Sequence, residues 1–261
     1  MVLRQRVFAL FVVITSVIFT ALFTYSRYGS YTKSMKLILK ELHKENAQTV
    51  TLRFEPETPI SWVPGQYLQY HIHTDHPDDR GEKRWFTIAS APHEKLVQIT
   101  TRNSLEYATT FKKALFAMKP GDSIDAQGPE GDFTLENPQD SVVFVAGGIG
   151  ITPYRSIIAD LAYRNQQIPI TLIYGNRDDQ FVFKEELDAI ASKHPEFTVQ
   201  YLAGQPLDVA AIQKAVPDYQ EHVVYVSGPE PMVEALSGAL EAAGLPKDKL
   251  KQDFFPGYPA A

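Results

Sequence analysis

The sequence predicts an α/β plus β chain in three parts: an N-terminal transmembrane helix, a small antiparallel β-barrel, and a parallel sheet with helical crossovers. Three observations carry this. Val7 to Tyr25 is an uncharged, mostly apolar run; residues 50 to 128 hold short apolar strands cut by Pro, Gly and Asp; and from Ser141 onward strands alternate with helices.

The apolar run has 19 residues, which as a helix span roughly 28 Å against about 30 Å for a bilayer's hydrocarbon core. A cleaved signal peptide is the competing reading, because Arg4 and Arg6 resemble its basic start, but no small-x-small cleavage site follows. A retained single-pass anchor is expected. Arg27, Lys33, Lys36 and Lys40 come after the run, so the positive-inside rule places the body on the cytoplasmic side of the cytoplasmic membrane. Ser26 to Ser34 reads as a polar linker. The expected parts are then 1–35 for anchor and linker, 36–137 for the barrel and 138–261 for the second domain.

Barrel strands are expected over Val50–Phe54, Tyr67–His73, Arg84–Ala89, Val97–Thr101 and Ser123–Gly128. One helix interrupts them, Ala108–Met118, with Phe111, Leu115 and Met118 on one face and a stop at Lys119-Pro120-Gly121. The polar stretch Glu136 to Asp140 marks the boundary. Beyond it, strands near 141, 170, 197 and 222 alternate with helices from about 152, 183, 208 and 231, the pattern of right-handed βαβ units.

Composition removes several functions. With 31 acidic and 25 basic residues the formal charge is -6, so no global positive field attracts nucleic acid. The chain has no cysteine, which excludes disulfides, cysteine-ligated iron–sulfur clusters, covalent haem attachment and thiolate catalysis within it. Any iron–sulfur partner is another polypeptide.

Local motifs add chemistry. Val142 to Ala146 is an apolar strand that runs into Gly147-Gly148-Ile149-Gly150-Ile151-Thr152-Pro153 and then a helix. A glycine turn at a helix start brings backbone N–H groups and the positive helix end to a phosphate, although a tight turn also needs glycine on steric grounds alone. Arg84-Trp85-Phe86-Thr87 supplies a permanent cation, two rings and a hydroxyl on one strand, with Arg84 and Phe86 on the same face. Arg102, Thr109 and Thr110 add phosphate-binding groups at a helix start, where a threonine also serves as an N-cap. His71, His73 and His76 with Asp75, Asp78 and Asp79 have metal-like chemistry, but Leu68, Tyr70 and Ile72 fill the opposite face, as on a half-buried strand with histidines in water. No metal is assigned.

The motif order resembles the ferredoxin–NADP reductase family of flavin oxidoreductases. Pro64-Gly65-Gln66-Tyr67, RWFT at 84–87, Lys119-Pro120-Gly121-Asp122, Gly128-Pro129-Glu130-Gly131-Asp132-Phe133, GGIGITP at 147–153 and Gly228-Pro229-Glu230-Pro231-Met232 follow that family's order from about residue 36 to the end. The resemblance implies an FAD-binding barrel followed by a Rossmann-like NAD(P)-binding domain. It implies that Arg84 holds the flavin pyrophosphate, that Trp85 and Phe86 belong to the flavin motif with Phe86 packing on the ring, and that Thr87 lies near N5. Thr100, Arg102, Thr109 and Thr110 fall where the family lines the ribityl and phosphate groups. Gly147, Gly148, Gly150, Thr152 and Pro153 match the dinucleotide pyrophosphate loop; Gly228, Pro229 and Met232 match the loop near the nicotinamide. Ser227 stands where many members have cysteine, and Phe86 where tyrosine is usual. Phe254 and Phe255 resemble aromatic tails that approach the flavin, with a simple final strand as the alternative.

The expected function is a membrane-anchored NAD(P)H oxidoreductase passing electrons through FAD to an unidentified acceptor. Arg177, in Gly175-Asn176-Arg177-Asp178-Asp179 after the domain's second strand, would accept a 2′-phosphate, while the acids beside it would suit a free ribose diol; Arg177 comes first, favouring NADP over NAD. Rival readings are a reductase of small diffusible acceptors and a non-catalytic flavin- or nucleotide-binding module on the membrane.

Overall fold

A computed structural model describes residues 34–102, 108–137 and 140–255. The expected anchor at Val7–Tyr25 lies outside them. Among the described residues no helix is long and apolar enough to cross a membrane.

The first part is a six-stranded antiparallel sheet made of β1 (Ser34–Asn46), β2 (Thr49–Pro56), β3 (Tyr67–His71), β4 (Lys83–Thr87), β5 (Val97–Arg102) and β6 (Ser123–Glu130). Its order is β4-β3-β6-β1-β2-β5, so β4 and β5 are edges and the expected antiparallel barrel is a half-barrel. Helix α1 (Thr110–Ala117) sets Phe111 and Leu115 into the same core as Leu37, Leu39, Leu52, Phe54, Leu68 and Ile99. Strand β1 was not expected. Met35, Leu37 and Leu39 alternate inward while the second half of the strand is solvated, which hides the period of two in a run of charges.

The second part is a five-stranded parallel sheet of β7 (Val142–Gly147), β8 (Ile170–Asn176), β9 (Thr198–Ala203), β10 (Val223–Pro229) and β11 (Leu250–Phe255), in the order β11-β10-β7-β8-β9. Alternate side chains of one strand feed two cores. Phe144 packs with Tyr154, Ile158 and Leu187 from α2 (Ile151–Tyr163) and α3 (Lys184–Ala191); Val143 and Val145 pack with Ile212, Val233 and Leu236 from α4 (Val209–Ala215) and α5 (Glu230–Ala242). The chain winds outward from β7 to β9, then returns to β10 on the other side of β7. The switch point between β7 and β10 is where open α/β sheets bind ligands, beyond the carboxyl ends of the strands.

Candidate functional site

The turn after β7 and the turn after β10 meet at that switch point, and glycine lets them. A Cβ on Gly150 would stand 2.2 Å from the Ser227 carbonyl oxygen, and one on Gly147 would stand 2.2 Å from the Met232 sulfur. Gly148 has φ +54, a left-handed conformation that L side chains rarely adopt. Thr152, in the first turn of α2, donates its hydroxyl to the Ile149 carbonyl at 3.1 Å, and Pro153 lies in the same turn, where no helix bond needs its missing N–H.

Beside these turns lies a cleft of about 550 Å³ lined by Gly147, Gly148, Gly175, Asn176, Arg177, Gly204, Pro229 and Met232. The half-barrel also lines it. Arg102, from the end of β5, lies over Gly148, where an added Cβ would come within 2.6 Å of its guanidinium. The turn after β8 is tied by Asp178, which accepts from the Asn176 side chain at 2.8 Å and the Gln180 amide at 3.0 Å. Arg177 is held on that turn at the cleft's edge. Glycine backbone, a cation from the facing sheet and apolar walls of Leu207, Pro231 and Met232 fit a dinucleotide.

The expected flavin groups are arranged differently. Arg84 is buried, donating through Nη1 to the carbonyls of Arg80, Gly81 and Lys83 and through Nη2 to Asp78 Oδ1 at 2.5 Å. The Asp78 carboxylate also accepts from the Thr110 hydroxyl at 3.1 Å, and Thr109 caps α1 by accepting from the Lys112 amide at 3.3 Å. Burial alone would push the Asp78 carboxyl up, but Arg84 and the Arg80 amide hold it below the usual carboxylate range. An arginine and two hydroxyls at a helix start thus form a donor set suited to an anion, here engaged by an internal carboxylate. That chemistry fits a flavin phosphate. Thr100 is buried on the face opposite Ile99 and the half-barrel core, its hydroxyl 2.8 Å from that of Thr51. Phe86 packs edge-on to Tyr70 at 5.7 Å, while Trp85 on the opposite face is 54% exposed. His71 and His73 hold Glu82 from two sides, at 3.1 and 2.9 Å.

Where the two sheets face each other, Thr87 pairs with Tyr67 across β4 and β3, and Ser227 pairs with Asp253 across β10 and β11. Ser227 Oγ donates to Asp253 Oδ2 at 3.3 Å. Burial pushes the Asp253 carboxyl up to about 6, helped by Asp132 and opposed by the Ser227 hydroxyl. Asp253 also raises the Tyr67 phenol, after burial, Glu130 and Asp132. Sequence reasoning missed Asp253, whose only signal is its place before two aromatics. Phe254 is 47% exposed on β11, and the expectation for the Phe255 ring lies outside the described side chains.

Comparison with known proteins decides the family. The oxidoreductase NAD-binding domain family matches residues 144–238. Reductase component 2 of a terephthalate 1,2-dioxygenase from Comamonas sp is 30% identical over 232 residues, 84% of this chain and 66% of that protein. The chain belongs to the ferredoxin–NADP reductase family, whose members are FAD- and NAD(P)-binding oxidoreductases. NADH-cytochrome b5 reductase 1 of Dictyostelium discoideum is 34% identical over 138 residues, 48% of each chain. The chain therefore spans about half to two thirds of the length of these curated relatives. The fold matches that of a cytochrome P450 reductase from Amycolatopsis (TM-score 0.72, 22% identity, 85% of this chain and 70% of that one). It also matches ferredoxin-NADP+ reductase from Plasmodium falciparum (TM-score 0.70, 15% identity, 87% and 98%).

Proposed function

We propose that this chain is an NAD(P)H:acceptor oxidoreductase. The observation that carries the reading is the cleft at the β7–β10 switch point, where the glycine turn of one sheet meets Arg102 of the other. NAD(P)H would lie with its pyrophosphate over Gly148 and Gly150 and its nicotinamide toward Ser227 and Gly228. A flavin would lie between Thr87 and Ser227, with phosphates at Arg84, Thr109 and Thr110. When bound, it supplies hydride acceptance and the release of electrons one at a time.

The residues of the chain do the positioning. Thr87 and the β4 backbone orient the ring edge, and Phe86 offers stacking surface in place of a tyrosine. Ser227 donates to the Asp253 carboxyl in the junction, and a pKa raised to about 6 lets that carboxyl take up a proton more readily than an ordinary aspartate. Hydride transfer needs proximity and alignment more than an acid or base, so serine in place of cysteine is compatible with turnover. Arg177 at the cleft's edge supports NADPH over NADH.

The apolar run Val7–Tyr25 supports a single-pass anchor with the body in the cytoplasm, and a partner that takes electrons at the membrane. A chain beginning near Thr32 would keep dye reductase activity and leave the membrane fraction; full-length protein washed off membranes by salt would argue against the anchor. The central test is colour. Purified protein would be yellow and would bleach when NADPH is added without oxygen; colourless protein that gains no flavin on titration would refute the reading.

A further inference from the structure

Helix α2 begins at the glycine turn, and one of its faces is turned to the half-barrel. Thr152, Arg155, Ser156, Ala159 and Tyr163 share that face at helical spacing. Ser156 donates its hydroxyl to the Ser90 carbonyl at 2.7 Å, and the Tyr163 ring lies on His93 with centroids 3.9 Å apart and planes 2° from parallel. Between them Arg155 is buried. It donates to the Ala89 carbonyl at 3.1 Å, to both oxygens of Glu94, with Nη2 to Oε1 at 2.9 Å, and to both oxygens of Glu186 on α3, at 2.7 and 3.0 Å. Burial would push the Glu94 carboxyl up, but Arg155 outweighs it and holds Glu94 below the usual carboxylate range.

We propose that Arg155 is a positioning residue for hydride transfer, setting the gap between flavin and nicotinamide without touching either. The inference rests on the function given above. Ala89 is two residues beyond Thr87, and Arg155 is five residues beyond Gly150 along one helix, roughly 7 to 8 Å of rigid backbone. The clasp therefore ties the strand end that carries Thr87 to the helix that starts at the glycine turn, whose Gly150 packs directly on the Ser227 carbonyl. A buried ion pair is a weak source of stability compared with a packed apolar group, but a planar guanidinium shared by two carboxylates fixes direction as well as distance. Misplacement by about 1 Å is enough to cost on the order of a hundredfold in rate.

The test uses the flavin-loaded protein and three variants: Arg155→Met, Arg155→Lys and the surface change Tyr163→Ala. Anaerobic stopped-flow reduction by NAD(P)H gives a limiting rate and a half-saturation concentration. Arg155→Met is expected to lose at least tenfold in limiting rate with less than threefold change in half-saturation, and to lose the long-wavelength absorbance of stacked flavin and nicotinamide. Lysine, reaching only one carboxylate, should recover part of both, and Tyr163→Ala should lose about twofold in rate. In flavin-free protein, amide exchange at 89–94 and 151–156 should rise together in Arg155→Met. A methionine variant with the parental rate and absorbance overturns the proposal, as does a loss confined to half-saturation. If that variant does not fold, a lysine variant indistinguishable from the parent overturns it. A parent that bleaches beside an unaffected variant defeats the clasp alone; a parent that never bleaches defeats the functional reading itself.

Discussion

The two halves of the candidate site are built from different materials. On the parallel-sheet side the ligand surface is backbone: glycine turns at 147–150 and 228, with a cleft of about 550 Å³ left beside them. On the half-barrel side it is side chains, and their polar atoms already have protein partners: Arg84 with Asp78, Thr110 with Asp78, Thr100 with Thr51. A backbone site is fixed by sterics and announces itself in sequence as glycine. A side-chain site depends on which partner each group holds, and one residue can serve the fold and the ligand at once.

The sharpest way to break this contrast is at the glycines. Gly150→Ala puts a methyl 2.2 Å from a carbonyl oxygen that cannot swing away, so flavin reduction by NAD(P)H should fall by about two orders of magnitude or the chain should destabilise by about 2 kcal/mol or more. Gly148→Ala meets only the end of the Arg102 side chain and a left-handed φ, at a cost of about 1 kcal/mol. Equal effects in steady-state kinetics and thermal melts would remove the steric account.

Next comes Arg84→Ala, where the side-chain site should show its double duty. Losing the guanidinium should weaken flavin binding by about one to two decades, the worth of a charge-assisted contact. It should also lower the melting temperature of flavin-free protein, because three carbonyls and Asp78 lose their donor. A lower melting temperature with unchanged flavin affinity, measured by titration, would make Arg84 wholly internal.

Arg177→Ala should act on coenzyme choice, raising KM for NADPH about tenfold and leaving NADH nearly unchanged, since only NADPH carries the extra phosphate. Parallel losses would place Arg177 in the scaffold of its turn.

The smallest effect is on pH. Asp253 has a folded pKa of about 6, above its ordinary 3.8, so its protonated form favours the fold. That contribution is complete below about pH 4 and is lost as pH rises through about 6, on the order of 1 to 3 kcal/mol. Asp253→Asn should flatten the change in melting temperature between pH 5 and 7.5. An unchanged slope would mean that the carboxyl titrates normally.

Legibility in the sequence followed the same division. The expected helices at 152, 183, 208 and 231 fall within one residue of those found, because each strand and helix of a parallel sheet carries its own period. The glycine turn was visible for the same local reason. Strand β1 was missed where Lys40, Glu41, His43, Lys44 and Glu45 mask the alternation, and the run of short strands pointed to a barrel without saying which strands are its edges. Arg155, Glu94 and Glu186 were invisible as a unit: the partners lie 61 and 31 residues from the arginine, Glu186 brought to it by the packing of α3 on α2 and Glu94 by the docking of the two sheets. Asp253 likewise gains its burial from a parallel partner strand that no local pattern names.

The central claim is that the glycine-lined cleft takes the dinucleotide and the Arg84 side takes the flavin. Hydrogen–deuterium exchange on flavin-free protein, with FAD and NADP+ added separately, tests it most directly. The account predicts that NADP+ protects amides at 147–152, 175–178 and 228–232 and leaves 78–87 unchanged, while FAD protects 78–87 and 109–112. Protection of 78–87 by NADP+ alone, or no protection of either region by FAD, would contradict it.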